Sequence, residues 1–457
     1  MHTQDNVVNW IGQIPGHWRL QRIKSSIESV INGVWGEEPA NDGNDTICVR
    51  VADFNRTTYG VEMDNPTFRK IDKKDLKNRC LRPGDLLIEK SGGSGDLNPV
   101  GFVVRYTDNQ PAVCSNFIAR IRLKPCADSN YFKYLFAAAY NTGINKKSIK
   151  QTTGIQNLDT ESYFSEKVPF PPLEDQKVIA AFLDQQTAKL DQLIEKKQRL
   201  IDLLQEKRQT LITQAVIKGL DPNVPMKDSG IEWLGKVPAH WDVVKIKHVA
   251  LMRSGHTPSR QHPEYWEDCN IQWFTLADVW QIRDGRAEYL EETEEKISIL
   301  GLENSAAELL PAGTVILSRT ASVGFSGIMA KPMATSQDFV NWVCGPKIIP
   351  EYLLYVFRSM KEEFKRLVMG STHKTIYMPD AAAFKTPLPP IEEQHQIVRY
   401  IRKHKTSIDR LEDLTLQSIQ KLQEYRQALI TAAVTGQIDV LREKLAVSAD
   451  PIPAGKE

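Results

Sequence analysis

The sequence has little sulfur chemistry to offer. Its six cysteines, Cys48, Cys80, Cys114, Cys126, Cys269 and Cys344, are scattered singly. None forms a CxxC pair, and no histidine stands at zinc-ligand spacing from them. That pattern excludes a disulfide framework and a zinc knuckle, and it reads as buried, reduced residues of a cytoplasmic protein. No run approaches the ~18 apolar residues that a membrane span needs, so no membrane partner is expected. The opening stretch, MHTQDNVVNW, lacks the basic-then-apolar order of a secretory signal. Net charge is nearly absent too, +1 over 457 residues. This decides nothing about nucleic acid, because a balanced total can hide a basic face. Disorder is excluded by what is present: 41% hydrophobic and 25% charged residues suit packed cores.

What the chain does have is a repeat. WIGQIPGHW (10–18) returns as WLGKVPAHW (233–241), each followed by a basic-apolar run. VADF (51–54) answers LADV (276–279), and LRPGDLLIEKSG (81–92) answers LPAGTVILSRTA (310–321). CSNF (114–117) corresponds roughly to TSQDF (335–339), and YFKYLF (131–136) to YLLYVF (352–357). Two closely matched segments follow, VPFPPLEDQKVIAAFLDQ (168–185) with TPLPPIEEQHQIVRYIRK (386–403). The last match is QEKRQTLITQAV (205–216) with QEYRQALITAAV (423–434). The later segments align without gaps, whereas the stretches before them are diverged. Internal repeats of this kind set the domain plan.

The well-matched segments read as long helices. Pro171-Pro172 and Pro389-Pro390 force extended backbone just before them. The acids Glu174, Asp175, Glu392 and Glu393 suit helix N-termini. Leu183, Leu190, Leu204 and Leu211, with Ile194 and Ile201, form an apolar stripe of coiled-coil spacing in the first copy. Ile401, Ile408, Ile419, Leu422 and Leu429 do so in the second. Thr187, Lys197 and Arg208 interrupt it. Gly219 and Gly436 supply the stops. A helix over 174–217 spans about 65 Å and cannot bury its own stripe, so the two helices are expected to pair antiparallel. A plain helical dimerisation hairpin is the competing explanation. The diverged stretches read as mixed α/β, rich in short strands between turn clusters.

Signatures of catalysis are missing. SGGSGDL lacks the Gly-Lys-Ser/Thr of a phosphate loop, and no GxGxxG occurs in a strand–helix setting. Asn98-Pro99-Val100 falls short of the Asn-Pro-Pro-aromatic signature of amino-methyltransferases. Asp85, Glu89 and Lys90 suggest a nuclease cluster, but the second copy has Thr314 and Ser318 in place of the acids. A duplicated hydrolytic site is not expected to lose them. His17 and His240, between paired tryptophans, read as packed or capping residues. The chain is therefore read as non-catalytic, with no metal and no cofactor of its own. What remains is binding, by basic, hydroxyl and amide residues in expected loops. In the first copy these are Lys90, Ser91, Ser94, Asn98, Lys146, Lys147, Lys150, Thr153, Gln156 and Asn157. In the second they are Thr257, Ser259, Arg260, Arg319, Thr320, Ser322, His373, Lys374, Thr375 and Tyr377. Such side chains contact phosphates and base edges. They fall in corresponding regions: 319–322 answers 90–94, and 371–377 answers 151–157. Lys147 and Lys374, if they meet phosphates, should weaken DNA binding when truncated, more steeply at higher salt.

The order W-[IL]-G-x-[IV]-P-x-H-W, variable region, P-P-[LI]-E-[DE]-Q, long helix and R-Q-x-L-I-T-x-A-V, all of it twice, resembles the DNA-specificity subunit of type I restriction–modification systems. The resemblance implies target-recognition domains at 1–170 and 223–388, a central helical spacer at 171–222, a distal helical region at 389–441 and a tail at 442–457, expected to fray. It implies that the chain reads an asymmetric bipartite site on double-stranded DNA. Two methyltransferase subunits carrying S-adenosylmethionine would dock on it, and up to two motor-nuclease subunits using ATP and magnesium. The paired helices would act as a ruler, with half-sites about one DNA turn apart, roughly 34–36 Å. An insertion near Thr213–Lys218 should then lengthen the unspecified gap and leave both half-sites unchanged. Two other classes stay open: a duplicated protein-interaction scaffold, and a fused restriction enzyme with unrecognised catalytic parts.

Overall fold

Two apolar runs without alternation, at 86–88 and 315–317, fill the central strands Leu86–Glu89 and Val315–Ser318, which are buried along their whole length. A strand covered on both faces has no polar side to present, hence the continuous run. The computed structural model describes residues 10–92, 98–152, 154–368 and 375–440. The tail and four of the contact candidates, Ser94, Thr153, His373 and Lys374, lie outside the described residues.

The chain forms two units, residues 1–196 with 418–457, and residues 197–417. In the first, the sheet order is Ile27–Asn32, Ile118–Leu123, Leu86–Glu89, Val103–Arg105, Gly60–Val61, Phe54–Asn55. In the second it is Ala250–Ser254, Phe339–Cys344, Val315–Ser318, Ser326–Met329, Tyr289–Leu290. The first five strands of the six-stranded sheet correspond in order to the five of the second, Phe54–Asn55 being the extra edge strand, and each sheet is followed by a buried helix, Ser129–Asn141 or Pro350–Ser359. Gly33 and Gly255 show how closely the frames agree. A Cβ on Gly33 would lie 2.1 Å from the carbonyl oxygens of Cys114 and Ser115, and one on Gly255 2.1 Å from that of Ser336. Only glycine fits there, a correspondence that the diverged sequences around it conceal.

A two-stranded ribbon closes each unit. Arg19–Arg22 pairs antiparallel with Lys167–Phe170, and Asp242–Lys245 with Lys385–Leu388. The ribbon carries the tryptophan turn to the start of a long helix. There His17 Nε2 meets Asp175 Oδ2 at 2.9 Å, and His240 Nε2 meets Glu393 Oε1 at 2.8 Å. The glutamine of P-P-x-E-x-Q is fully buried in both copies. Gln176 accepts from the Asp128 N–H and donates to the carbonyls of Cys126 and Pro171. Gln394 accepts from Ile349 N–H and donates to Lys347 and Pro389. Each glutamine thus ties the start of the long helix to the residue capping the sheet-covering helix. Losing three bonds at a buried site costs several times the ~1 kcal/mol of an ordinary one.

The long helices are α1, Leu173–Lys218 (46 residues), and α2, Ile391–Val434 (44 residues), so α1 is about 69 Å long. In the second unit Gln205 donates to Glu412 at 2.9 Å while Arg208 meets Asp409 at 2.8 Å. One number rises as the other falls, so the helices run antiparallel. In the first unit Asp191 of α1 meets Arg426 of α2. Leu183 packs with Ile430, Ala433 and Val434 in the first core. Ile212, Ala215 and Val216 pack with Ile397, Val398 and Ile401 in the second. Leu183, Ile201, Leu204, Ile401, Ile408 and Ile419 are buried; Leu190, Ile194, Leu211, Leu422 and Leu429 are half-buried. The expected apolar stripe is nonetheless only part of this face. Thr187, Arg208, Lys405, Glu412, Thr415 and Arg426 are buried there too, and backbone carbonyls of the sheet domains accept from Arg208, Lys405 and Arg426. The sequence boundaries at 170 and 388 fall at strand–helix junctions, whereas the units cut across both helices.

Candidate nucleic-acid interface

In the first unit the chain leaves the central strand at Lys90. Lys90 N–H donates to the Phe117 carbonyl at 2.8 Å, and the Lys90 carbonyl accepts from Leu158 N–H at 2.8 Å. Ser91–Gly92 then pairs as a short strand with Gln156 and Asn157, the second arm of a hairpin formed by Ile149–Thr152 and Ile155–Leu158. The stretch expected to be a loop is therefore mostly ordered. Lys146 and Lys147 sit exposed on a 3-10 turn, Ile144–Ser148. Lys150 and Asn157 stand on the hairpin arms, exposed. Hairpin pairing satisfies the backbone groups that a loop would leave to water.

Ser91 Oγ donates to Asn157 Oδ1 at 2.7 Å, which brings Lys90, Ser91 and Asn157 together. Lys90 is half-buried, and burial lowers its ammonium pKa below the usual range. No carboxylate among the described residues pairs with it. Lys150 instead meets Asp159 at 2.7 Å. That bond raises the lysine's pKa and lowers the aspartate's. Gln156 needs correction as a contact: it is buried, and its Oε1 accepts from Val100 N–H at 3.3 Å. Period-two alternation turns it inward beneath exposed Ile155 and Asn157, so it holds the hairpin. Asn98 is exposed at the edge of the described segment. The suspected nuclease acids are spent on ion pairs: buried Asp85 accepts two bonds from Arg122, and buried Glu89 meets Arg56 at 2.9 Å.

The second unit repeats the frame with other side chains. Arg319 N–H donates to the Asp338 carbonyl at 2.8 Å, and its own carbonyl accepts from Ile376 N–H at 2.8 Å. These are the bonds of Lys90, with Asp338 in the place of Phe117. Thr320 bridges to Thr375, as Ser91 pairs with Asn157. The Arg319 guanidinium, unlike the Lys90 ammonium, is engaged with protein. It donates to the carbonyls of Gln337 and Ile376 at 2.9 and 3.2 Å. Thr257 reaches the same place through Gln337 Oε1 at 2.5 Å. Ala321 holds a left-handed backbone, φ 56°, where the first unit has Gly92. Ser322 is half-buried beyond it, and Tyr377 is exposed before helix Met378–Ala383. Ser259 and Arg260 belong to a separate loop. Arg260 lies 3.7 Å over the Trp266 ring and meets Glu295 at 2.6 Å, while the Ser259 carbonyl accepts from Trp266 Nε1.

Sequence reasoning overlooked Phe117. It is 46% exposed beside Lys90 and Ser91, and Ile155 at the hairpin tip is 50% exposed. The stretch 143–158 carries Lys146, Lys147 and Lys150 and no acid. An apolar group within a basic, amide-rich edge suits the methyl face of a base pair. The available signal was a phenylalanine in a turn that has aspartate in the second copy.

A family model described as the type I restriction modification DNA specificity domain matches residues 55–203 and 238–421. The MjaIX specificity subunit of Methanocaldococcus jannaschii is 31% identical over 36% of this chain, and the match spans 38% of that relative. The putative MjaX specificity subunit of the same organism is 21% identical over 94% of this chain and 96% of its own. The EcoBI specificity subunit of Escherichia coli is 22% identical over 78% and 74%. Among solved structures, a chain from work on complex assembly and conformational transition of the type I R-M system superposes with a TM-score of 0.71. It has 18% identity and covers 93% of this chain and 100% of that one. The HsdS subunit from Thermoanaerobacter tengcongensis gives 0.54 at 18% identity, over 93% and 98%. At such identities these likenesses speak for the fold.

Proposed function

The chain belongs to the type I restriction–modification DNA specificity family, and from that premise we propose that it reads an asymmetric, bipartite site on duplex DNA and catalyses nothing itself. One observation carries the reading. The same strand-end frame, with the same backbone bonds, presents Lys90, Ser91, Asn157 and Phe117 in one unit and Arg319, Thr320, Thr375 and Asp338 in the other. A shared frame with different side chains is what two half-sites of different sequence require, since base-edge contacts specify and frame contacts position. Partners follow the family: two methyltransferase subunits holding S-adenosylmethionine, and up to two motor-nuclease subunits using ATP and magnesium, in the cytoplasm. Leu193, Leu200 and Leu203 on α1, with Leu411 and Leu414 on α2, stay exposed and offer apolar ground for partner helices. No described helix is long and apolar enough to cross a membrane.

The test is co-expression with a type I methyltransferase subunit from the same genome, followed by mapping of methylated adenine in host DNA. The expected result is one split motif, two specified blocks around a fixed unspecified gap. Methylation without a split motif, or none that depends on this chain, would return the protein to the scaffold class.

A further inference from the structure

Arg208 and Arg426 are the same residue of the repeated QE-x-RQ sequence, and Asp191 and Asp409 are likewise one repeat position. Each arginine pairs with the aspartate of the other repeat, once in each unit. Arg208 Nη2 meets Asp409 at 2.8 Å and also bonds Glu412. Arg426 Nε lies 2.9 Å from Asp191 Oδ1, off-axis for a hydrogen bond, while its Nη2 donates to Asp191 Oδ2 at 3.3 Å. Both arginines are buried.

Each also reaches into the sheet domain of its unit. Arg208 Nη1 donates to the Asp284 carbonyl at 3.1 Å. Arg426 Nη2 donates to the Thr57 carbonyl at 2.5 Å and Nη1 to the Tyr59 hydroxyl at 3.0 Å. The contacted segments are clipped in place. Residues 284–286 are held further by Arg286, which meets Asp413 at 2.6 Å and Glu412 at 3.1 Å, and by Lys405 Nζ, which donates to the Arg286 carbonyl at 2.7 Å. Tyr59 is buried with a left-handed backbone, φ 58°, a conformation that a bulky residue keeps only when its surroundings hold it there. One guanidinium thus joins three bodies: its own helix, the opposite helix and the sheet domain.

We propose that Arg208 and Arg426 are positioning residues that set the attitude of each recognition domain on the helix pair, and thereby the length of the unspecified gap between half-sites. The inference rests on the DNA-reading function above. Helix length alone leaves the angle of each domain free, and a domain that tilts shifts its half-site along the duplex. The guanidinium fork reaches a carboxylate and a carbonyl at once, in fixed directions. Lysine keeps the charge but has no fork and cannot hold both. Neither arginine touches the reading frame at Lys90 or Arg319, so the half-site sequences are independent of them.

The test uses the full chain with its methyltransferase and reads methylated motifs by sequencing. Arg208→Lys and Arg426→Lys are the variants, with Arg208→Gln beside them and thermal melts as a fold check. Both half-site sequences should persist, while sites with a gap one base pair longer or shorter gain on the order of tenfold in methylation, the worth of one charged hydrogen bond. A lysine variant that keeps the single wild-type gap, whatever its total methylation or melting point, overturns the proposal, because lost stability lowers all sites together. A wild-type chain that yields no split motif removes the underlying function, and this inference with it.

Discussion

Lys90 and Arg319 show how one backbone position can serve two ends. Both leave a buried central strand, and both are pinned by the same pair of main-chain bonds. Arg319 spends donors on two carbonyls, whereas the Lys90 ammonium is held half out of water, with burial already disfavouring its charge. A phosphate brought to Lys90 would relieve that cost. Lys90→Ala should therefore weaken DNA binding by the assembled complex and lower the slope of log affinity against log salt by about one. Titration at several salt concentrations checks this, and an unchanged slope would assign Lys90 to the fold alone. That a cation stood at this position was legible from the repeat. That its neighbour Gln156 turns inward was not, because a hairpin's facing depends on where its turn falls, and QTTGIQN admits more than one register.

The long helices were the most legible elements, since proline pairs, acidic starts, apolar spacing and glycine stops agree with one another. Their polar contacts were not, because charged residues at helical spacing look the same whether they meet solvent or another repeat. The tryptophan turn lies between these cases. Its recurrence was plain, but its role depends on a residue far away in sequence. Gly436 and Gly219 end α2 and α1 with φ +73°, and each lies under a tryptophan turn. A Cβ on Gly436 would lie 2.3 Å from Pro15 and 3.0 Å from Trp18, whereas one on Gly219 would lie 3.1 Å from Trp241. Gly219→Ala should cost about 1 kcal/mol, chiefly for the left-handed backbone. Gly436→Ala should cost about 2–3 kcal/mol, because the rigid proline must also move. Denaturant melts of the two variants give the order, and equal losses would show that the turn yields easily.

At the scale of the molecule, linear order and spatial order part company. The second unit is one uninterrupted stretch, residues 197–417, whereas the first draws on the chain after residue 417 to be complete. Ile430, Ala433 and Val434 belong to the same core as Leu183 and Ile179. Synthesis on the ribosome therefore reverses the usual sequence of events, in which the earlier domain is finished first. The second unit can close while the first still lacks one wall, with the apolar face of α1 uncovered until the end of α2 emerges. Released chains truncated at residue 417 should resist protease over 197–417 and be cut within 173–196. Protection of both regions at that length would show that the first unit closes without its last helix. The discontinuity is thus also a timing device: the first domain is completed only after the second has been synthesised, and until then the chain offers chaperones an open apolar helix.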